Sequence, residues 1–125
     1  MPEPLQFFKY SGPDAPGGRD TAEGRRSYPM AMTDNVVSTV QIFKKGVHNR
    51  LHVHLTEDGY WFVLGGEVTF YGEGDTELAT LEHSGGIYIP RNTRYWFENN
   101  GTEQLVMVRC ASKDKGVGDD RVYVS

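Results

Sequence analysis

The sequence has one cysteine and no long hydrophobic run, which excludes an intramolecular disulfide and a membrane-spanning helix. The single Cys110 excludes an intramolecular disulfide, and we interpret it as a small buried apolar side chain. No apolar stretch approaches the roughly 18 residues of a membrane-spanning helix. The first residues carry neither the basic nor the apolar segment of a signal peptide. We therefore expect a cytoplasmic protein without a membrane partner.

An excess of positive charge is also missing. The 13 Lys and Arg residues are interspersed with 17 Asp and Glu residues, and the net charge is −4. Because nucleic-acid binding favours clustered basic side chains, we expect no nucleic-acid partner.

Helical periodicity is scarce, since no segment keeps a helical pattern for more than about two turns. What the chain has instead is a series of short segments rich in β-branched and aromatic residues, separated by turns that contain Gly, Asn, Asp or Pro. Their spacing is close to the roughly 8–12 residues that are typical of sandwiches and barrels. This pattern predicts an all-β fold, an antiparallel β-sandwich or barrel.

The length of 125 residues suffices for one domain with one core, so we predict a single domain over residues 1–125. Residues 36–111 are expected to form the barrel core. Residues 1–30 are expected to form an irregular N-terminal arm, and residues 112–125 a C-terminal tail that includes an edge strand.

The arm has two segments with local signals of their own. Residues 6–10 fit a short strand, and the charged residues 19–26 fit one helical turn. An arm of this size in a small β protein often covers a sheet edge or packs on a partner subunit, because exposed edges must be covered.

His52 and His54 form the strongest chemical signal. One residue separates them in a segment that has the pattern of a strand, so both side chains are expected on the same face. Imidazoles about 6–7 Å apart along a strand can converge on one ion, and zinc, iron, copper and nickel accept imidazole nitrogen. The pair therefore predicts a transition-metal site, and the polar lining of a metal-free pocket is the alternative.

The residues around this pair resemble the first motif of the cupin family, G-x5-H-x-H-x(3,4)-E-x6-G. Gly46, His52 and His54 match it, and the later run Trp-Phe-Val-Leu-Gly-Gly-Glu-Val resembles its usual tail. Pro90 and Asn99 match the frame of the second motif, G-x5-P-x-G-x2-H-x3-N. The resemblance implies a jelly-roll β-barrel, commonly a homodimer, with any active site inside the barrel mouth.

The departures from these motifs concern the metal ligands, usually three histidines and one glutamate. The glutamate position falls on Gly59, or on Asp58 with the shorter spacing, and the third histidine position falls on Tyr95. Only His52 and His54 remain in place. The resemblance thus implies a degenerate site for Fe, Zn, Ni, Cu or Mn, in which Tyr95 or Asp58 is a candidate substitute ligand.

Each further candidate has an alternative interpretation. Tyr95 is a candidate proton donor beside the metal, or a cavity-wall aromatic. Asp58 and Glu57 are candidate carboxylate ligands, or solvated acids of a turn. His48 has the strand parity of the histidine pair, although a loop position outside the barrel fits it better, and His83 is interpreted as a surface residue.

Aromatic and basic side chains provide candidates for a ligand pocket, where a flat or apolar molecule would fit. The residues assigned to that pocket are Tyr60, Phe62, Tyr88, Arg50 and Trp96. Arg50 and Arg94 are candidates for orienting an anionic substrate, and a solvated surface role is the alternative for both.

Two functions of different classes follow from these residues. The first is a metal-dependent enzyme that acts on a small organic molecule by dioxygenation, isomerisation, cyclisation or lyase chemistry, among which the sequence does not choose. The second is a metal-free binding module or sensor for a small ligand. A purely structural barrel fits less well, because buried histidines require polar partners.

Overall fold

The computed structural model describes residues 3–114 and 120–124, and these residues are mostly β-strand. The strands are β1 (Arg19–Ala22), β2 (Arg25–Met32), β3 (Val36–Phe43), β4 (His52–His54), β5 (Gly59–Gly65), β6 (Val68–Tyr71), β7 (Glu77–Leu81), β8 (Gly86–Ile89), β9 (Trp96–Glu98), β10 (Leu105–Ser112) and β11 (Arg121–Tyr123). A short 3₁₀ turn at Glu73–Asp75 is the only helical element in the described ranges. No helix there is long and apolar enough to cross a membrane.

The strands form three antiparallel sheets, which confirms the predicted all-β antiparallel fold. The largest sheet has the order β1-β2-β3-β10-β5-β8, and a three-stranded sheet has the order β7-β6-β9. The third sheet pairs β11 with β4, the strand of the two histidines.

The main core lies between the two larger sheets and consists of aromatic and aliphatic side chains. Its buried members are Phe43, Trp61, Val63, Val68, Phe70, Tyr95, Phe97, Leu105 and Met107. Burying one such side chain contributes about 1.5–3 kcal/mol. Strand β5 shows how the sequence supplies this core, because Trp61 and Val63 are buried while Tyr60, Phe62 and Leu64 face outward.

The N-terminal region differs from its prediction. Residues 1–30 were expected to be irregular, but residues 19–32 form the antiparallel pair β1–β2. The helical turn expected at residues 19–26 is therefore wrong, and the strand expected at residues 6–10 is absent. Pairing with β3 outweighs the weak local signals, since β2 buries Tyr28 beside Val40.

The remainder of the arm lies against the outer face of the large sheet. Tyr10 packs edge-on against Tyr28, with 5.3 Å between ring centroids, and Ala15 joins the same hydrophobic cluster. The arm thus covers part of the face formed by β2, β3 and β10.

Two connections between strands depend on particular residues. Gly66 joins β5 to β6 at a φ of +85°, and a Cβ there would lie 2.7 Å from the carbonyl oxygen of Gln104. The buried Asn99 side chain donates hydrogen bonds to the carbonyl oxygens of Phe43 (3.1 Å) and Glu103 (2.9 Å). It therefore ties the loop after β9 to the end of β3.

Candidate metal and ligand site

The two histidines lie side by side on β4, as the strand parity predicts. Their ring centroids are 5.1 Å apart, and His52 is only 3% exposed. On one side, β11 pairs with β4. On the other, His52 and Tyr95 exchange two backbone hydrogen bonds of 3.1 and 3.0 Å, which places the Tyr95 ring 4.4 Å from the His52 ring.

The tautomer of His52 follows from its hydrogen bond. Its Nδ1 lies 2.7 Å from the carbonyl oxygen of Arg50. A carbonyl oxygen can only accept, so Nδ1 carries the proton and Nε2 carries a lone pair in the neutral ring. Burial lowers the pKa of His52 to about 4, so the ring is neutral at pH 7.

His54 is held in the same tautomer by a carboxylate. Its Nδ1 lies 2.9 Å from Asp120 Oδ1. Burial raises the pKa of Asp120, but hydrogen bonds from His54 and Thr56 outweigh burial and hold that pKa well below its usual range. Because the ionised carboxylate accepts only, Nδ1 donates and Nε2 is again left with a lone pair. Burial also lowers the pKa of His54, although Asp120 opposes the shift.

Asp120 is the site residue that the sequence reasoning missed. It lies directly before β11, and the pairing of β11 with β4 brings it to His54 from 66 positions away in the chain. The tail of residues 112–125 was predicted to include an edge strand, and β11 is that strand, but the sequence offered no signal for its partner strand.

Glu57 is the carboxylate that lies near the histidines. Its Oε1 is 4.0 Å from His54 Nδ1 and accepts a 3.1 Å hydrogen bond from Arg109. His54, Glu57 and Asp120 offer ligand atoms that all lie within 4.8 Å of one another. Burial, aided by Asp120, raises the pKa of Glu57, and Arg109 opposes this rise.

Neither of the two positions that align with the glutamate of the motif, Asp58 and Gly59, supplies a carboxylate beside His54. Asp58 accepts hydrogen bonds from the backbone N–H (2.8 Å) and the guanidinium (3.1 Å) of Arg91, so its carboxylate does not join the group around His54. A Cβ at Gly59 would lie 2.9 Å from the Cys110 carbonyl oxygen, which leaves no room for a side chain there. The structure therefore favours Glu57 over Asp58 as the nearby acid.

Tyr95 is a buried hydroxyl group beside the histidine pair. It is 2% exposed, and its oxygen accepts a 3.1 Å hydrogen bond from Trp61 Nε1. Burial raises its pKa above the usual value, so the phenol keeps its proton. This state suits a proton donor better than an anionic ligand.

A cavity of about 370 Å³ opens beside these side chains. It is close to the lower end of the roughly 300–1,000 Å³ usual for small-molecule sites. Its lining contains the histidine pair with aromatic, polar and basic residues: Arg25, Met32, Val37, Gln41, Asn49, His52, His54, Glu57, Trp61, Tyr95, Arg109, Lys113 and Arg121.

The predicted pocket residues lie elsewhere, which corrects that assignment. Tyr60, Phe62 and Tyr88 are on the outer face of the large sheet, where Tyr60 is 44% and Tyr88 63% exposed. Arg50 and Trp96 line a separate open groove. The Arg50 guanidinium stacks on Tyr123 there, and Trp96 stacks on Tyr71.

Three other candidates are surface residues. Arg94 pairs with Glu73, and both side chains are largely exposed. His48 is exposed and its Nδ1 lies 3.1 Å from the Asn49 carbonyl oxygen, while His83 is exposed and contacts Ser84. None of the three lines the cavity of the histidine pair.

Comparison of the backbone with solved structures identifies the architecture. A protein from Klebsiella pneumoniae with a double-stranded β-helix domain superposes with a TM-score of 0.72 at 16% identity, over 87% of this chain and 91% of the other. An RmlC-like cupin from Shewanella frigidimarina gives 0.71 at 14% identity, over 89% and 96%. This chain has the cupin fold.

KdgF from a Halomonas species also shares this cupin fold, with a TM-score of 0.71 at 17% identity, over 79% of this chain and 87% of the other. No protein-family model and no curated protein matches the sequence. At these identities the comparison establishes the fold alone.

The donor set suits a divalent transition metal. Both imidazoles are neutral with Nδ1 occupied by an oxygen acceptor, which is the usual arrangement when Nε2 binds a metal. A carboxylate oxygen of Glu57 lies 4.0 Å from His54 Nδ1, and carboxylate oxygen is a ligand that such metals also accept. The group at the third-histidine position, Tyr95, offers a phenol in place of an imidazole.

Proposed function

We propose that this protein is a small metal-binding cupin that acts on a small organic molecule in its barrel cavity. His52 and His54 would bind the metal through Nε2, and Glu57 would complete the protein ligands. The observation that carries the proposal is the fixed tautomer of both histidines, because it leaves an Nε2 lone pair on each of two adjacent imidazoles, one buried and one partly buried, which is the form in which histidine binds a metal.

Asp120 acts as the positioning residue of His54 in this account. It accepts from Nδ1, and it also accepts from the backbone N–H and the hydroxyl of Thr56, which fix the carboxylate. A histidine held in this way keeps its orientation and is more basic at Nε2.

Two groups in the cavity wall can hold or move a proton. The Tyr95 phenol stays protonated and can donate toward a ligand that contacts the histidine side of the cavity. The raised pKa of Glu57 makes its carboxylate a stronger base than an ordinary glutamate, and so a candidate to accept and return a proton. A bound divalent metal would supply Lewis-acid polarisation of a substrate oxygen.

The cavity of about 370 Å³ beside the histidine pair supports a small-molecule role without fixing the reaction. The proposal covers oxygenase, isomerase, cyclase or lyase chemistry. We also keep the prediction of a homodimer as part of the proposal.

The proposal is tested by metal uptake. Purified protein is stripped with EDTA, incubated separately with Zn²⁺, Mn²⁺, Fe²⁺, Ni²⁺ and Cu²⁺, desalted and measured by elemental analysis. We expect close to one ion per chain for at least one metal, with a rise in melting temperature. His54→Ala should lose this ion, whereas His83→Ala, which changes an exposed histidine outside the cavity, should retain it.

The metal-free binding module is the second candidate, and one observation favours it. Arg109 already pairs with Glu57 at 3.1 Å, and this ion pair competes with metal ligation by the same carboxylate. A protein that takes up no metal, and whose melting temperature is the same in EDTA and in metal, would replace the first proposal by this one.

A further inference from the structure

The cavity beside the histidines is lined by an excess of positive charge. Four lining side chains are cationic, Arg25, Arg109, Lys113 and Arg121, whereas Glu57 is the one lining carboxylate among the described residues. A second carboxylate, that of Asp120, does not line the cavity but lies 2.9 Å from His54 Nδ1. The chain as a whole is acidic, so this concentration of cations is a local feature.

Arg25 differs from a typical paired arginine because its guanidinium donates hydrogen bonds to a neutral amide. Its Nε donates to Gln41 Oε1 at 3.0 Å, and its Nη2 donates to the same oxygen. Gln41 is neutral, and no carboxylate pairs with Arg25 in the part of the chain that the structure describes. The guanidinium therefore keeps an uncompensated charge and further N–H groups beside the cavity.

The surroundings of Arg25 make this arrangement costly without an anion. The guanidinium lies over the Phe43 ring at 5.0 Å and is partly buried on β2. Burial, followed by the nearby charge of Arg121, lowers its pKa. Like charges near the partly buried Arg25 repel its guanidinium, and a bound anion would relieve this repulsion.

We propose that Arg25 is the recognition residue of an oxyanion site in this cavity, and that the ligand is a small organic anion with a carboxylate or phosphate group. A planar guanidinium matches two oxygens of either group. Gln41 fixes the plane of the guanidinium, and Gln41 is held in turn by a 3.0 Å hydrogen bond to Thr39.

This inference deepens the proposed function by naming the class of ligand, and it rests on that function only where it equates the anion with the substrate. The Trp61 and Tyr95 rings supply the apolar wall for the carbon skeleton. Arg109 also lines the cavity: it donates to Glu57 at 3.1 Å, and its guanidinium lies 5.9 Å from the Trp61 ring.

The test measures binding of three probes by calorimetry and by NMR of the arginine Nε–H signals. The probes are succinate, inorganic phosphate and the neutral analogue succinamide, and each is titrated into EDTA-treated and metal-loaded protein. We expect succinate or phosphate to bind and to shift the Arg25 signal, with succinamide inactive. Comparison of succinate with phosphate distinguishes a carboxylate ligand from a phosphate ligand.

Variants assign the effect to the guanidinium. Arg25→Gln should weaken anion binding roughly tenfold to a hundredfold, as expected when a charged hydrogen-bond donor is lost. Arg25→Lys keeps the charge without the planar fork and should be intermediate. Arg26→Gln is the matched control, since Arg26 is the next residue on β2 but bonds to Tyr28 and Asp20 outside the cavity. Circular dichroism of each variant is the control for correct folding.

Each outcome decides one claim. Anion binding that is unchanged in Arg25→Gln, equal binding of succinamide, or no binding of either anion overturns the oxyanion site. Arg25-dependent binding in a protein that takes up no metal supports the site and refutes the proposed metal function. Metal uptake combined with anion binding that does not depend on Arg25 supports the metal function and refutes the oxyanion site.

Discussion

Replacing His52 with asparagine should reduce the loss of stability that this protein shows in acid. His52 is 3% exposed, and burial lowers its pKa to about 4 from the usual value near 6.5. Between these values the unfolded chain binds a proton that the folded chain does not. The free energy of unfolding therefore falls as the pH drops from about 6.5 to about 4.

The size of the effect follows from the two pKa values. Linkage gives a loss of about 2 kcal/mol at pH 5 and about 3 kcal/mol at pH 4, relative to pH 7. Asparagine at this position can still donate to the Arg50 carbonyl oxygen, which accepts from Nδ1 at 2.7 Å in the parent protein. The variant thus removes the titrating group and retains the polar contact.

The assay is urea unfolding of EDTA-treated protein at pH 7, 5 and 4, followed by tryptophan fluorescence. The difference in unfolding free energy between pH 7 and pH 4 should be smaller in His52→Asn than in the parent by about 3 kcal/mol. His83→Asn, which changes an exposed histidine, should behave as the parent does. The same pH dependence in parent and His52→Asn would refute the assignment of a buried neutral imidazole.

Three further predictions concern particular contacts. Gly66→Ala should lower the free energy of unfolding in urea by at least about 1–2 kcal/mol, because its φ is +85° and a Cβ there would meet a backbone oxygen. Gly65→Ala is the control, since a Cβ at Gly65 meets open space and should cost less. Asn99→Ala should cost about 1–3 kcal/mol, since it leaves a buried carbonyl oxygen without its donor, and a loss below about 0.5 kcal/mol would contradict this role. Asp120→Asn should weaken metal binding about 10–100-fold in competition with a chelator, and Asp114→Asn, on the exposed side of an ion pair, should leave it unchanged.

The histidine pair could be predicted from the sequence because its geometry is local. Alternation along a strand suffices to place His52 and His54 on one face, and the ring separation of 5.1 Å agrees with that.

The sequence could not show which side chains of β5 point into the core. Residues 60–64 are apolar at every position, so no polar alternation shows which side faces inward. The structure buries Trp61 and Val63, and the pocket residues Tyr60 and Phe62 were assigned to the wrong face.

Long-range pairing explains the remaining misses. Asp120 and Arg25 lie near opposite ends of the sequence. Asp120 reaches His54 because β11 pairs with β4, and Arg25 reaches the cavity because β2 pairs with β3. The weak local signals of residues 19–32 predicted an irregular arm, whereas the hydrogen bonds to β3 select a strand. Arg50 and Arg94 were the sequence candidates for orienting an anionic substrate, and the structure places both outside the cavity of the histidine pair.

X-ray absorption of the metal-loaded protein tests the central claim most directly, because imidazole rings give a multiple-scattering signature that can be counted. The account predicts two imidazole ligands in the parent and one in His52→Asn, with the remaining donors oxygen or nitrogen. A loaded protein whose metal shows no imidazole scattering, or whose spectrum is the same in parent and variant, would contradict a metal site on the histidine pair.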